Sequence, residues 1–273
     1  MLPLFCFGPR LMQDTLYTTQ LQAGLGMIPE SITLLRTWQP GMSPSQLADQ
    51  VIREGTFSRT TARRARNLAA EMFAPRFLID GGRPAENLRF LIDHRFPHEA
   101  LVQLFFLQTA RAQRILADFV VDVYWPKYSA GASSLSREDA ERFIYRGLDT
   151  GKMAKRWTDS TIRRVSAYLI GCCVDFGLLA EGTRTARPIQ RFSLRREVAL
   201  YLAYDLHFSG LGSMGVVQHP DWTLFGLEPQ EVIAQLKTLS QDGHLLVQSS
   251  GELVQVSWAY KTMTDCLHAL TQR

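Results

Sequence analysis

The sequence has no apolar run approaching the roughly 20 residues that cross a bilayer. The stretch Ala100–Leu107 is broken by Gln103 and reads as a buried helix. Met1–Phe7 is apolar but short, is interrupted by Pro3, and lacks the basic start and cleavage site of a signal peptide. Cysteine is sparse: Cys6, Cys172, Cys173 and Cys266 form no C-x-x-C and no metal-ligand spacing. These absences predict a reduced, cytoplasmic protein with no membrane partner and no disulfide scaffold. Lysine is scarce too, at Lys127, Lys152, Lys155, Lys237 and Lys261 only. Low-complexity tracts are missing, and 46% hydrophobic with 21% charged residues exclude a disordered chain.

Catalytic signatures are equally thin. There is no G-x-S-x-G, P-loop, H-E-x-x-H or nuclease-like D/E-x-K context. His94 and His98 are four apart, but Pro97 disrupts a shared helical face. His207 and His219 lie near Asp205 and Asp221 and would gather only if the fold brings them together; structural histidines are the alternative reading. Gly210-Leu-Gly-Ser-Met-Gly215 spells G-x-G-x-x-G, yet a dinucleotide site needs a strand before it. The helical pattern Tyr201–Phe208 precedes it instead, so it reads as a glycine-rich turn. The expectation is a protein that is not an enzyme, with no metal, cofactor or small-molecule substrate.

What is abundant is arginine, and its placement is uneven. Residues 1–197 hold 27 Lys/Arg against 19 Asp/Glu, a net of +8; residues 198–273 hold 3 against 7, a net of −4. The planar guanidinium fork suits phosphate and guanine contacts better than an ammonium does. Arginine-preferring codons in a GC-rich genome would produce the same excess. The chain, at 273 residues, is long enough for more than one core. We read 1–193 as a basic helical portion with a sub-boundary near 130, and 194–273 as an acidic C-terminal domain.

Periodicity makes the fold mainly α, with helix-turn-helix-like units and small β-hairpin wings. Ser43-Pro44 opens one helix, ending at Gly55. Ser58 then caps a second, Arg59 to about Phe73, with Ala62, Ala65, Leu68, Ala69 and Met72 as its buried stripe. Arg59, Arg63 and Arg66 share a neighbouring face, with Arg64 further round. The pattern stays helical from Pro84 until Trp125-Pro126, where proline should close the run. Ser129–Ser134 reads as a loop.

The next unit carries most of the functional signal. Ser136 caps a helix to about Leu148, Arg156 lies in the following loop, and a helix follows to about Phe176. Its apolar series Ile162, Val165, Leu169, Cys172 and Phe176 leaves Ser160, Arg163, Arg164, Ala167 and Gly171 on the reverse face. Cations forward and little bulk behind is what a major-groove helix requires. Two strands, Gly177–Gly182 and Pro188–Ser193, flank a turn bearing Arg184 and Arg187, with Arg191 beyond. Helix, helix and hairpin is the winged-helix order; a charged linker is the competing reading. The C-terminal part repeats the order without the charge: helices Glu197–Leu206 and Pro229–Leu239, hairpin strands His244–Ser249 and Glu252–Trp258, and a closing helix Lys261–Leu270.

Four ordered blocks carry a family resemblance. They are Tyr17-Thr-Thr-Gln-Leu21 with Leu34-Leu-Arg-Thr-Trp38, Asp118-Phe-Val-Val-Asp-Val-Tyr-Trp-Pro-Lys-Tyr128, and Trp157-Thr-Asp-Ser-Thr-Ile-Arg-Arg164 leading to Asp175-Phe-Gly-Leu-Leu179. The fourth joins Tyr204-Asp-Leu-His207, His219-Pro-Asp-Trp222 and Leu224-Phe-Gly-Leu227 to Trp258-Ala-Tyr260. Together they resemble the BrxA family of BREX bacteriophage-defence systems. The resemblance implies a small, mostly helical, cytoplasmic protein that binds double-stranded DNA and works with other BREX subunits. It also implies partial similarity to a helical RNA-binding antitermination factor, and it supplies no catalytic residues. Charge and face, not the family, assign the DNA-contact residues: Arg59, Arg63, Arg64, Arg66, Arg156, Arg163, Arg164, Arg184, Arg187 and Arg191. Such contacts predict sequence-tolerant, salt-sensitive binding. The alternatives are a protein-interaction scaffold or an RNA-binding adaptor in the same defence complex.

Overall fold

The computed structural model describes residues 16–23, 26–57, 61–183, 186–250 and 253–272. It is mainly helical, with two small antiparallel two-stranded sheets. Helices α1 (Ile28–Thr37) and α2 (Pro44–Arg53) come first. Ser43 starts α2 by accepting from the Gln46 N–H, while the Gln46 side chain accepts from the Ser43 N–H in return. Helix α3 (Ala62–Asn67) is capped by Thr61. The expected cap Ser58, with Arg59, lies outside the described residues. Ala65, Leu68, Ala69 and Met72 are buried as the stripe requires, whereas Ala62 is exposed.

From α3 the chain continues through a π-helical segment, Leu68–Phe73, into α4 (Ala74–Phe77). Helices α5 (Arg83–Asp93), α6 (His98–Ala112) and α7 (Arg114–Phe119) follow, then a second π-helical segment, Val120–Tyr124, and α8 (Trp125–Ser129). The expectation that Trp125-Pro126 ends the helical run is therefore overturned. In an α-helix a proline ring collides with the carbonyl four residues back and offers it no N–H. Here the turn before each proline is widened. The Ala74 N–H bonds Ala69 O ahead of Pro75, and the Trp125 N–H bonds Val120 O ahead of Pro126. One extra residue per π turn moves the conflicting carbonyl aside, so the helix passes through.

The middle of the chain holds β1 (Ser134–Ser136), α9 (Arg137–Asp149), α10 (Asp159–Asp175) and β2 (Ala186–Pro188). Strand β1 pairs antiparallel with β2, placing Leu135 opposite Arg187. On the other side Leu179 bridges Ile189, with Ala180 N donating to Pro188 O and Gln190 N to Leu178 O. The segment 186–190 is thus held between β1 and residues 178–180. Ser134 belongs to this strand pairing rather than to the expected loop.

The C-terminal elements are α11 (Arg196–Phe208), α12 (Ser213–Val217), a 3₁₀ segment Pro220–Phe225, α13 (Pro229–Gln241), β3 (Leu245–Ser250), β4 (Leu253–Trp258) and α14 (Met263–Thr271). Gly210, at φ 95°, and Gly212 make the turn from α11 to α12, so a helix precedes the glycine motif. Val198 to Tyr204 are all buried, because α11 packs on α6 as well as on α13 and α14. Its core joins that of the preceding helices in one apolar cluster. Trp125 makes a second joint: its ring lies against Gly226, where an added Cβ would come within 2.7 Å of it. Its Nε1 donates to Leu224 O at 3.0 Å.

Two charged clusters are built into this interior. Arg111 of α6 donates to Asp205 Oδ2 at 2.8 Å and to Asp221 Oδ2 at 2.6 Å. Burial works against the guanidinium charge, but the two carboxylates outweigh it and raise its pKa. Tyr17 OH donates to Asp118 Oδ2 at 2.7 Å, and Lys152 and Arg114 pair with the same carboxylate. Among the described residues, no helix is long and apolar enough to cross a membrane.

Candidate nucleic-acid interface

Helix α10 begins where Thr158 Oγ1 accepts from the Thr161 N–H, with Asp159 favourably placed in the first turn. Ile162, Val165, Leu169, Cys172 and Phe176 are buried, as their spacing requires. Ser166, Ile170 and Cys173 widen the buried face. Ser160, Arg163, Arg164 and Ala167 are exposed, and Gly171 is half-buried. No ion pair engages Arg163 or Arg164 among the described residues. At the far end, Asp175 Oδ2 accepts from the Gly26 N–H at 2.8 Å, which bolts the helix to the N-terminal layer. An added Cβ at Gly26 would stand 2.5 Å from the Asp175 Cβ.

Helix α9 precedes it and packs along it. Ser136 caps α9 together with Asp139, whose carboxylate also pairs with Lys127 at 2.9 Å and with Arg142. Burial alone would raise the Asp139 pKa; the Ser136 N–H and hydroxyl, Lys127 and Arg142 instead bring it down to about 2. Arg142 and Arg146 are exposed one turn apart. With Lys127, Tyr145, Asp122 and Asp149 they line a groove of about 530 Å³. Sequence reasoning did not select Arg142 and Arg146, although their i, i+4 spacing on a helix was visible. Tyr145 OH donates to Asp159 Oδ1 at 3.3 Å, tying α9 to the start of α10.

The remaining arginines divide. Arg156 is exposed in the loop before α10, and Arg191 is exposed beyond β2. Arg187 is committed: its Nη1 donates to Glu181 Oε2 at 2.5 Å and to Gly182 O at 3.0 Å. Arg184, like Arg59, lies outside the described residues. On α3, Arg63 and Arg64 are exposed, and Arg66 reaches Asp49 at 3.6 Å across to α2. The histidine–aspartate constellation forms only as the Arg111 cluster. His219 Nδ1 sits 3.4 Å from Asp221, while His207 stacks on Trp258. No group of three or more metal-capable side chains occurs among the described residues.

The acidity of the C-terminal part is divided between interior and surface: Asp221 is buried and Asp205 half-buried, while Glu228, Glu231, Asp242 and Asp265 are exposed. Asp205 and Asp221 bind Arg111, and Asp242 pairs with Arg196. Glu228 and Glu231 cap α13, and Asp265 caps α14. Every described acid from 198 onward thus has a partner within the fold.

The architecture is that of a helical protein bearing two small antiparallel two-stranded sheets and exposed arginine faces. Residues 15–205 match the family model BrxA, so the chain belongs to the BrxA family and carries a BREX-associated role. No curated protein matches the sequence. Its fold resembles the crystal structure of an uncharacterized protein from Magnetospirillum magneticum, with a TM-score of 0.56 and 17% identity. That similarity spans 71% of this chain and 95% of the other.

Proposed function

We propose that this protein is a non-catalytic binder of double-stranded DNA within a BREX system, using α10 as its groove-facing helix. One observation carries this reading. The buried stripe of α10 forces Arg163 and Arg164 outward, with no ion-pair partner among the described residues, beside small residues that allow close approach. The order β1, α9, α10, then residues 178–180 paired with 186–190 matches a winged helix, with β1 on the outer edge of the wing. Arg156 and Arg191 extend the cationic surface, and Arg63, Arg64 and Arg66 provide a second. Most of these are phosphate-type contacts, so binding is salt-steep and tolerant of sequence.

The test is a titration of labelled duplex at several salt concentrations. The parent should show a steep log–log salt slope. Replacing Arg163, Arg164, Arg184 and Arg187 by Ala should flatten that slope by about 0.9 for each phosphate that is no longer neutralised. Replacing Arg163 and Arg164 alone should leave the melting temperature nearly constant, because both are exposed; replacing Arg187 also removes its bonds to Glu181 and Gly182. Unchanged affinity in the fourfold variant, with weaker binding on replacing Arg63, Arg64 and Arg66, moves the interface to α3. Full affinity in both variants leaves the protein-scaffold reading.

A further inference from the structure

We infer that the free edge of strand β3 is a self-association surface, through which two copies of this chain join β3 to β3 about a two-fold axis. The hydrogen-bonding parity of the hairpin fixes which backbone groups point outward. Val256 N donates to Ser213 Oγ at 3.0 Å, so on β4 the Val256 N–H points away from β3. Val247 is the residue opposite Val256. In an antiparallel pair the bonded and non-bonded positions alternate. Leu246, Gln248 and Ser250 therefore face β4 with their backbone groups, while Leu245, Val247 and Ser249 aim theirs outward. Helix α12 covers the β4 edge through Ser213. No hydrogen bond to the outward groups of Val247 or Ser249 exists among the described residues.

An edge of this kind is usually blunted by lysine, proline, a bulge or extreme shortness. Strand β3, Leu-Leu-Val-Gln-Ser-Ser, has none of these over six paired positions. Its solvent face with β4 is Leu246, Gln248, Ser250, Leu253, Gln255 and Ser257, without a single charge. Leu246 and Leu253 are 53% and 75% exposed there. A second copy is the occupant for two reasons. An antiparallel edge alternates donors and acceptors, so it is complementary to itself under a two-fold rotation. The chain carries a net +4, and this ribbon carries no charge, so two copies can meet here without like-charge cost. The contact is small, which makes the dimer weak and concentration-dependent. It does not require DNA binding.

Sedimentation of the full chain over a concentration series reaching about 100 µM tests it, a range suited to small, weak contacts. The parent should shift from monomer to dimer. Ser249→Pro removes an N–H that the monomer does not use. Leu246→Lys places a charge on the exposed face. Each should weaken association by roughly tenfold or more, because each change acts twice across the axis. Leu246 is exposed, so the lysine variant retains the fold if the proline variant does not. A parent that stays monomeric throughout overturns the proposal. So does a dimer that both variants leave intact, or a monomer that adds a strand from another protein at this edge.

Discussion

The central unit, β1 to residue 190, and the C-terminal unit, α12 to β4, place two helices before a hairpin in the same order, yet they handle charge in opposite ways. The central unit buries an apolar stripe on α10 and leaves Arg163 and Arg164 exposed to solvent. The exposed positions of α13 include Gln230, Ala234, Thr238 and Gln241, and its hairpin face is uncharged. The acids that make this part negative divide: Asp205 and Asp221 are held by Arg111 of α6, whereas Glu228, Glu231 and Asp265 cap helices from exposed positions. A negative sum over a segment is therefore only in part a negative surface. The C-terminal part depends on a borrowed guanidinium inside.

The sharpest way to break this contrast is Arg111→Ala, which strands Asp205 and Asp221 as buried, uncompensated carboxylates. Loss of one partner of a buried ion pair costs about 3–5 kcal/mol. A fall of that size in the denaturant midpoint at constant slope is the expected readout, with the duplex affinity of the folded protein unchanged. A variant as stable as the parent would show that the C-terminal part does not depend on the guanidinium lent by α6.

Next in size is Asp139→Asn in the central unit, whose acid is served by neighbours on α8 and α9. Its folded pKa, about 2, lies below the ordinary aspartate value of 3.8. The stabilisation is thus complete above about pH 4 and fades as the pH falls toward 2, worth roughly 2 kcal/mol at neutral pH. Denaturation at pH 7 and pH 2.5 should show a gap between parent and variant that narrows at the lower pH. An equal gap at both would assign the loss to packing.

The smallest expected effect converts one unit toward the other. Gln230→Arg with Ala234→Arg puts two cations on the bare face of α13. Duplex affinity at low salt should rise a few-fold and the salt slope should steepen by up to about two units. No change would mean that this face points away from any path the duplex takes.

Helices α2, α9, α10 and α13 were legible because their signals are local. Ser43 and Ser136 sit within a turn of the backbone groups they cap, and the α10 stripe follows directly from helical period. Helix α12 was not, because Ser213 and Met214 fall in the glycine motif that reads as a turn. What the sequence hid was long-range. Strand β1 is three residues long and exists only because Ala186–Pro188 returns to it from fifty positions away. Arg76 and Arg111 look like any other arginine in sequence. Yet Arg76 is buried, with its pKa lowered to about 10 by that burial, and Arg111 anchors two acids. Of the proposed contact residues, spacing correctly put Arg163 and Arg164 outside. It gave no sign that Arg187 would be claimed by Glu181, since that pairing depends on how the wing closes.

The π turn ahead of Pro126 also sets a phase. A widened turn takes up one residue more than an α turn does, so the residues beyond it sit about 100° from where an unbroken α-helix of the same sequence would place them. Trp125 meets Gly226 and Leu224 from that setting. Tightening the turn to α at constant length would swing the indole off its glycine seat. The straightened helix would be the more regular one and the poorer partner for the C-terminal unit: in this fold, a local irregularity works as an angular setting between two otherwise well-formed halves.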